Sequence, residues 1–312
     1  MNRHQVFSDV KKLITLVLVF LYFCAFSFDE GKAGFSIEVK GEINAYNIFS
    51  VFLLPKEQVR IKSSSDIALK SSDVQFIMQD NNSWAVEAPH SPGSYAITIS
   101  NLNKNTMHLN VLVLTPISEK NGEYLHEYRI GNYPIKPLNG NPIYNRPKGF
   151  FEVTSENLDL RLTPHFKLRQ FLCKQQSDFP KYLTIRERLL LKLEYLLAKA
   201  NENNIKIETF GFISGYRTPF YNKLIKNVAY SRHVYGGAAD IFIDEDMNGY
   251  MDDLNSDGKV NEEDVKVFYN IVDKELTKSG YDNYKGGLGF YKKNNIHHGF
   301  IHVDVRGWKA RW

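Results

Sequence analysis

The chain is 312 residues long, which leaves room for two domains that each bury a core of their own. Hydrophobic residues make up 43% of it and charged residues 24%, values that argue against an intrinsically disordered protein. The formal net charge is +4, and the sequence holds no Lys/Arg-rich run that would predict nucleic-acid binding.

The N-terminus has the pattern of a secretory signal. Three basic residues precede the apolar run Leu13–Phe26, and small residues at Ala25 and Ser27 have the spacing that a signal peptidase recognises. The run is shorter than the roughly 20 residues of a membrane span. Residues 1–27 are therefore predicted to be a cleaved signal peptide, with an uncleaved N-terminal anchor as the alternative. Cleavage would leave an exported protein of the periplasm, cell envelope or exterior, without a stable membrane span.

Alternating apolar and polar residues characterise residues 28–116. The alternation is clearest at Ser36–Lys40, Tyr95–Ile99 and Met107–Leu114, and turn-forming residues separate the apolar stretches. Six or seven short strands of this kind predict an all-β antiparallel sandwich of immunoglobulin-like type, without the disulfide of that fold. No chemistry-bearing cluster lies in it, so its expected role is positioning or binding. The Gly- and Pro-rich residues 117–159 are predicted to form an extended linker that packs on a neighbouring domain.

Residues 160–312 mix helical and strand periodicities, which predicts an α+β domain. Thr184 and Glu187 have the spacing of a capping box, and leucines follow at helical intervals to about Asn203. The remaining predicted elements are a strand Ile205–Ile213, a short helix from Thr218, a strand Ala239–Ile243, a helix Glu262–Lys278, and the strand pair Gly287–Tyr291 and Phe300–Val305. Signal cleavage would leave Cys173 as the only cysteine, which excludes an intrachain disulfide. Its apolar neighbours Phe171 and Leu172 predict a buried position inside a helix, with a nucleophilic role as the alternative.

The residues of a candidate metal site lie in two stretches, Ser231–Asp240 and Phe300–Asp304. A catalytic zinc ion binds three protein ligands, drawn from His and carboxylate side chains, and keeps a fourth position for water. His233, Asp240 and His302 can supply these ligands, because the small residues between the first two allow a tight turn. In a strand, His302 and Asp304 point to the same face. The Asp304 carboxylate is therefore expected beside the metal, as a general base or as an orienting group.

The pattern Ser-x-His-x-x-Gly-x-Ala-x-Asp at Ser231–Asp240, followed by His302 in a late strand, resembles the zinc D-Ala-D-Ala peptidases. That family includes the vancomycin-resistance dipeptidases and phage L-Ala-D-Glu endolysins, and it shares its fold with the hedgehog signalling domain. The resemblance covers about 150 residues, beginning at Thr163. It implies an exported zinc metallopeptidase, either carboxypeptidase or endopeptidase. Its metal-activated water would hydrolyse D-amino-acid-containing peptide bonds of peptidoglycan.

The resemblance also implies roles for single residues. The three candidate ligands match the zinc ligands of the family. Arg217 matches the arginine that steadies the scissile carbonyl and its developing oxyanion. Ser231 matches a serine near the terminal carboxylate of the substrate, and Tyr216, next to Arg217, is expected to contact the peptidoglycan peptide as well.

One departure from the family concerns the general base. The better-known members place a catalytic Glu or Asp three residues before the last ligand, or a His two residues before it. This chain has Gly299 and Phe300 at those positions. The base is therefore expected to be Asp304 or His298, and strand geometry favours Asp304. Two other functions stay open: a catalytically inactive zinc-fold protein that binds peptidoglycan, and a protein-ligand domain like that of hedgehog.

An acidic insert, residues 244–264, separates the first two candidate zinc ligands from the third. It contains nine acids and one Lys, whereas the rest of the chain after the signal has 35 basic and 25 acidic residues. That basic excess suits attraction to anionic cell-wall polymers, or it is a mildly basic surface with no specific partner.

The insert also fits calcium loops. Asp253–Asp264 has oxygen-bearing side chains, a Gly and an apolar Val260 at the positions of a twelve-residue loop, and Asp244–Asn255 repeats its opening. The predicted calcium-binding residues are Asp244, Asp246, Asn248, Asp253, Asn255, Asp257, Lys259 and Asp264. We expect structural Ca²⁺ here to rigidify the connection between the zinc ligands by offsetting carboxylate repulsion.

Overall fold

Strands dominate the first part of the chain. The computed structural model describes residues 27–80, 82–278 and 284–312, so the predicted signal peptide lies outside the described residues except for Ser27. Nine strands open the described chain: β1 (Lys32–Val39), β2 (Glu42–Tyr46), β3 (Ile48–Leu53), β4 (Gln58–Ser63), β5 (Ile67–Lys70), β6 (Gln75–Asp80), β7 (Ser83–Glu87), β8 (Gly93–Asn101) and β9 (Thr106–Val113). No helix among the described residues has both the length and the apolar character that a bilayer crossing requires.

The nine strands form two sheets, with the orders β2-β1-β4-β7-β6 and β3-β9-β8-β5. Alternate residues of both sheets, such as Ile37 and Ile61 in one and Ile97 and Leu109 in the other, are buried in the same apolar cluster. The strand-rich arrangement is compatible with the predicted sandwich. The pairing is not wholly antiparallel, however, because β3 and β9 run parallel, with Phe49 opposite Leu109. Parallel neighbours need a long crossover, and strands β4 to β8 supply it.

The following segment packs on both parts of the molecule. It contains β10 (Thr115–Pro116), β11 (Tyr124–Leu125), β12 (Tyr128–Arg129), β13 (Gly149–Val153) and three short 3₁₀ turns, Ile117–Glu119, Leu138–Gly140 and Pro142–Tyr144. Strand β13 pairs with β10 on one side and with β14 (Lys181–Leu183) on the other. Leu125, Ile130 and Phe150 are fully buried. Apolar contacts therefore hold this Gly- and Pro-rich segment against its neighbours.

The second part of the chain is built around one mixed sheet. Its elements are α1 (Glu187–Glu202), β15 (Gly211–Ser214), α2 (Pro219–Leu224), β16 (Ala238–Phe242), α3 (Glu262–Thr277), β17 (Gly287–Tyr291), β18 (Phe300–Asp304) and β19 (Ala310–Arg311). The sheet order is β15-β16-β18-β17-β19, and all pairs are antiparallel except β17 with β19. Helix α3 packs against α1 and against β17 and β18. The predicted mixture of helices and strands is thus present.

The start of α1 differs from the prediction. Its N-cap residue is Arg186 rather than Thr184, and no capping box forms. The Glu187 carboxylate instead accepts hydrogen bonds from the Lys40 ammonium (2.6 Å) and from the Phe52 backbone N–H (3.1 Å). A contact with the first part of the chain has therefore replaced the local cap that the spacing predicted.

Two further predictions on local structure are corrected. The strand expected over Ile205–Ile213 shrinks to β15, because the Asn201 amide at the end of α1 bonds both backbone groups of Ile207 (2.9 and 3.3 Å). These bonds use the groups that a strand ladder would need. Cys173 is buried, but it follows the 3₁₀ turn Leu168–Phe171 instead of lying in a helix.

Polar contacts join the two parts across a continuous core. The Ser50 hydroxyl donates to the Leu162 carbonyl (2.9 Å). His165 lies with its Nδ1 atom 2.6 Å from the buried Glu194 carboxylate and its ring stacked on Phe28. Buried apolar residues from both parts belong to one cluster. The sheets of the first part are therefore packed onto the body that carries the candidate site.

Candidate metal centre and its pocket

Two paired strands and one tight turn bring the three candidate ligands together. Asp240 in β16 and His302 in β18 lie directly opposite each other in the antiparallel register. His233 lies in the 3₁₀ turn Arg232–Tyr235, just before β16. The turn ends at Gly236, whose φ is 64° and where a Cβ atom would lie 2.3 Å from a backbone oxygen. Only glycine fits there, so the small residues of this motif serve the turn.

The ligand atoms of the three residues converge. His233 Nε2 lies 3.1 Å from Asp240 Oδ1 and 3.1 Å from His302 Nδ1, and His302 Nδ1 lies 2.8 Å from Asp240 Oδ1. All three side chains are buried. Ligands of a tetrahedral zinc ion lie about 3.3 Å apart, given zinc–ligand bonds near 2.0 Å. The donor set and its spacing therefore fit such an ion.

The protonation states of His233 and Asp240 suit metal binding, whereas the Asp240 and Asp304 carboxylates outweigh burial and raise the pKa of His302, so a metal would have to displace a proton there. His233 Nδ1 lies 2.7 Å from the Gly215 carbonyl oxygen, which can only accept, so Nδ1 carries the proton and Nε2 presents its lone pair. Burial lowers the pKa of His233 to about 4, so its ring is neutral at pH 7. Burial acts to raise the pKa of Asp240, but His233 and His302 beside it hold that pKa well below its usual range. A neutral imidazole and an ionised carboxylate are the forms that bind metals.

Arg217 is held at the edge of this centre. Its Nε–H donates to the Ser214 hydroxyl (2.7 Å), and its Nη2 group forms an ion pair with Asp240 Oδ2. Asp240 therefore offers one oxygen to the metal position and the other to the guanidinium. Because Arg217 is 92% buried, its charge is weakly screened and acts on the adjoining pocket.

Asp304 lies on the far side of His302 from the other two ligands. Its Oδ2 atom lies 3.3 Å from His302 Nε2, and the Arg306 guanidinium bonds both carboxylate oxygens (2.6–3.0 Å). The backbone N–H of Gly287 donates to Oδ1 (2.9 Å). Burial acts to raise the pKa of Asp304, but the His302 and Arg306 contacts hold it far below its usual range. This fully buried carboxylate does not line the pocket, so the geometry favours orientation of His302 and disfavours the general-base role.

A pocket of about 1170 Å³ opens onto the candidate centre. Its wall includes the three ligands, Arg217, Ser231 and His298. His298 packs edge-on against Phe242, with the ring centroids 4.1 Å apart, and its Nδ1 atom lies 3.0 Å from the Gly299 carbonyl oxygen. That carbonyl keeps the proton on Nδ1 and leaves Nε2 able to accept one. Of the two base candidates, only His298 lines the pocket.

The structure places one expected substrate contact elsewhere and adds others. Tyr216 is 1% exposed, bonds the Tyr133 hydroxyl (3.1 Å) and does not line the pocket. Trp312 was not predicted at the site, yet its ring centroid lies 5.2 Å from that of His302 on the pocket wall. Lys174 and Arg232, which were not predicted either, line the same pocket. No motif marks Trp312 or Lys174, which the fold alone brings to the site, whereas Arg232 lies inside the motif Ser231–Asp240 at one of its variable positions.

The two loops of the acidic insert share the same pattern of hydrogen bonds between side chain and backbone. Asp244 accepts hydrogen bonds from the backbone N–H groups four and five residues further on (both 2.9 Å), and Asp253 does the same (3.2 and 2.7 Å). The sixth positions, Gly249 and Gly258, both have positive φ values. The repeated pattern in the sequence therefore corresponds to a repeated backbone conformation.

The two loops differ in where their carboxylates point. In the first loop, carboxylate oxygens of Asp244, Asp246 and Asp252 lie within 4.8 Å of one another, although Asp252 was not among the predicted ligands. In the second loop, the carboxylate of Asp264 accepts hydrogen bonds from backbone N–H groups at both ends of the loop (2.7–3.3 Å). Val260 is 41% exposed, so it does not have the packed position expected of the eighth residue.

Comparison with known protein families and with curated proteins finds no match to this chain. The geometry of the site and the motifs of the sequence are therefore the features from which a function can be inferred.

Proposed function

We propose that this chain is an exported zinc metallopeptidase that hydrolyses peptide bonds next to D-amino acids in peptidoglycan peptides. The observation that carries the proposal is the convergence of His233 Nε2, Asp240 Oδ1 and His302 Nδ1 on one point beside a large pocket. Two imidazoles and one carboxylate are a donor set of catalytic zinc. The sequence pattern around these residues supplies the substrate class, through its resemblance to the D-Ala-D-Ala peptidases.

The surrounding residues suit hydrolysis of an amide. A zinc ion, when bound, supplies Lewis-acid activation of water and of the scissile carbonyl. Arg217 is fixed by Ser214 and Asp240, so its charge is already in place to stabilise an oxyanion that develops in the pocket. His298 can accept a proton at Nε2 and is our candidate for the general base. Ser231 lies on the same wall, where it can contact the peptide.

One observation favours the alternative, a zinc-fold protein that binds peptidoglycan without cleaving it. No carboxylate occupies the positions two and three residues before His302, and the Asp304 carboxylate is fully engaged by other groups. Catalysis would then depend on His298 alone as the base. The two functions make opposite predictions for the products of a digestion.

The first prediction concerns those products. Zinc-loaded mature protein is expected to release D-Ala from peptidoglycan fragments or to cut their cross-links, as detected by mass spectrometry. His302→Ala is expected to abolish the product, because it removes a metal ligand. His90→Ala, which changes an exposed histidine of the first part of the chain, should leave it unchanged. Intact tetra- and pentapeptides after incubation with verified zinc-loaded protein would overturn the peptidase and favour the binding protein.

We further propose that the acidic insert binds Ca²⁺, with the first loop as the stronger site because three of its carboxylates converge. At a free concentration 100 times its dissociation constant, calcium is expected to stabilise the protein by about 2.7 kcal/mol. The double variant Asp244→Asn and Asp246→Asn should lose most of that stabilisation, measured as the shift in melting temperature with zinc held constant. Magnesium at equal concentration is the control. Equal melting temperatures with and without calcium would refute the site.

A further inference from the structure

Two arginines meet behind the wall of the pocket. The Nη2 group of Arg186 and the Nη1 group of Arg232 both donate to the Ile143 carbonyl oxygen, at 2.7 and 2.8 Å. Two guanidinium groups that share one backbone oxygen are necessarily close neighbours. Like charges at such range repel each other, and an anion between or beside them offsets that repulsion.

Neither arginine has an acidic partner within the described part of the chain. No carboxylate there forms an ion pair with Arg186 or Arg232. The more distant carboxylates of Glu187 and Asp304 act to raise the pKa of Arg186 and of Arg232, respectively. Those acids, Glu187 and Asp304, are already paired with Lys40 and Arg306 respectively. Among the described residues, two buried or half-buried positive charges therefore lie together without a counter-charge.

Several hydrogen-bond donors beside the two arginines also lack partners. Of the eight buried side-chain atoms without a partner among the described residues, three lie here: Nε and Nη2 of Arg232 and the hydroxyl of Tyr235. Arg232 is only 3% exposed, and its guanidinium lies 4.9 Å from the ring centroid of Tyr144. Burial, together with the nearby charge of Arg186, lowers the pKa of Arg232 to about 10. An unsatisfied buried donor costs about 1–3 kcal/mol, more when charged, so a cluster of three indicates a missing acceptor.

The cluster adjoins the pocket. Arg232 and Tyr144 both line it, and Arg232 directly precedes the candidate ligand His233. Gly237 packs closely on the two arginines, since a Cβ atom there would lie 2.8 Å from Arg232 Nη2 and 3.3 Å from Arg186 Cδ. Access from the pocket is therefore through Arg232, which lies on the pocket wall, whereas Arg186 lies behind it.

We propose that Arg186 and Arg232 form an anion site that binds a carboxylate group of the peptide held in the pocket. The identification of a peptide rests on the proposed function; the anion site itself does not. A carboxylate fits because it accepts paired hydrogen bonds from guanidinium groups and supplies the absent counter-charge. The carboxylate comes either from the C-terminus of the peptide or from an acidic side chain.

Equilibrium titrations of the full-length mature, zinc-free protein test the site and separate these two sources. The ligands are three acetylated tripeptides of D- and L-alanine: one with a free C-terminus, one amidated there, and one amidated but carrying an internal glutamate. We expect at least tenfold tighter binding of one carboxylate-bearing peptide than of the neutral one. Arg186→Gln and Arg232→Gln should each lose that preference. Arg188→Gln, which changes the neighbouring arginine paired with Glu42, should keep it.

A second measurement protects the test against a variant that folds poorly. Sodium acetate is expected to raise the melting temperature of the wild-type protein above its value in sodium chloride of equal ionic strength. This difference should vanish in Arg186→Gln, whose half-buried side chain can be replaced with less disturbance than that of Arg232. Equal binding of all three peptides, or a preference that survives in both variants, would overturn the anion site. Because no hydrolysis is measured, that failure is distinct from failure of the peptidase proposal.

Discussion

Replacing Asp240 with asparagine is expected to abolish stoichiometric zinc binding and to lower the free energy of unfolding of the metal-free protein by about 3–5 kcal/mol. Asp240 is 3% exposed and faces His233, His302 and Arg217 at once. The substitution replaces one carboxylate oxygen by an amide nitrogen, removes the negative charge from the candidate ligand set and leaves the Arg217 guanidinium buried without its counter-charge. Breaking a buried ion pair from one side is costly for this reason.

The matched control is Asp273→Asn. Asp273 forms an ion pair with Arg311 (2.6 Å), but its side chain is 37% exposed, and solvent screens the pair. We expect a loss below about 1 kcal/mol and unchanged zinc binding. Urea denaturation and metal analysis after dialysis measure both quantities. An Asp240→Asn protein that retains one tightly bound zinc would remove Asp240 from the ligand set.

The second large effect is expected at Asp304. The Asp304→Asn substitution should raise the dissociation constant for zinc about 10- to 100-fold, although all three ligands remain. The Asp304 carboxylate accepts a hydrogen bond from His302 Nε2 and is itself held by hydrogen bonds from Arg306. The ionised carboxylate therefore fixes the ring with Nδ1 directed at the candidate metal position. An amide holds this orientation less strongly, because the hydrogen bond loses its charge assistance.

Comparison of Asp304→Asn with His298→Gln distinguishes a residue that orients His302 from a residue that transfers the proton. If His298 is the base, its replacement should lower kcat about 10²- to 10⁴-fold and leave the zinc affinity unchanged. Competitive zinc titration and steady-state kinetics on the same samples give both numbers. An Asp304→Asn protein with normal zinc affinity but little turnover would restore Asp304 as the general base.

Elements with strong periodicity and clear boundaries could be predicted closely from the sequence. The helix expected over Glu262–Lys278 is observed as α3 (Glu262–Thr277), where Asn261 and Asp264 form a capping box within the local sequence. Strand β17 has the predicted bounds. The start of α1 was predicted wrongly, since the Glu187 carboxylate binds Lys40 and Phe52, more than 130 residues away. A local pattern cannot reveal a partner at that distance.

The same limit applies to the candidate site. The motif spacing indicated His233, Asp240 and His302, and the structure brings these three residues together. Strand alternation placed Asp304 near His302, but it could not show that Arg306 engages the carboxylate from behind. Arg232 lies inside the motif, yet its neighbour Arg186 is 46 positions earlier in the chain, and only the shared Ile143 carbonyl reveals the pair.

The direct cross-strand pairing of Asp240 with His302 has a consequence for the evolution of the insert between them. Since hydrogen bonds between β16 and β18 set the separation of these ligands, the 61 residues that connect them do not need a fixed length. The loops of the acidic insert can therefore change in length while Asp240 and His302 stay opposite each other, which leaves the insert free to acquire a role of its own.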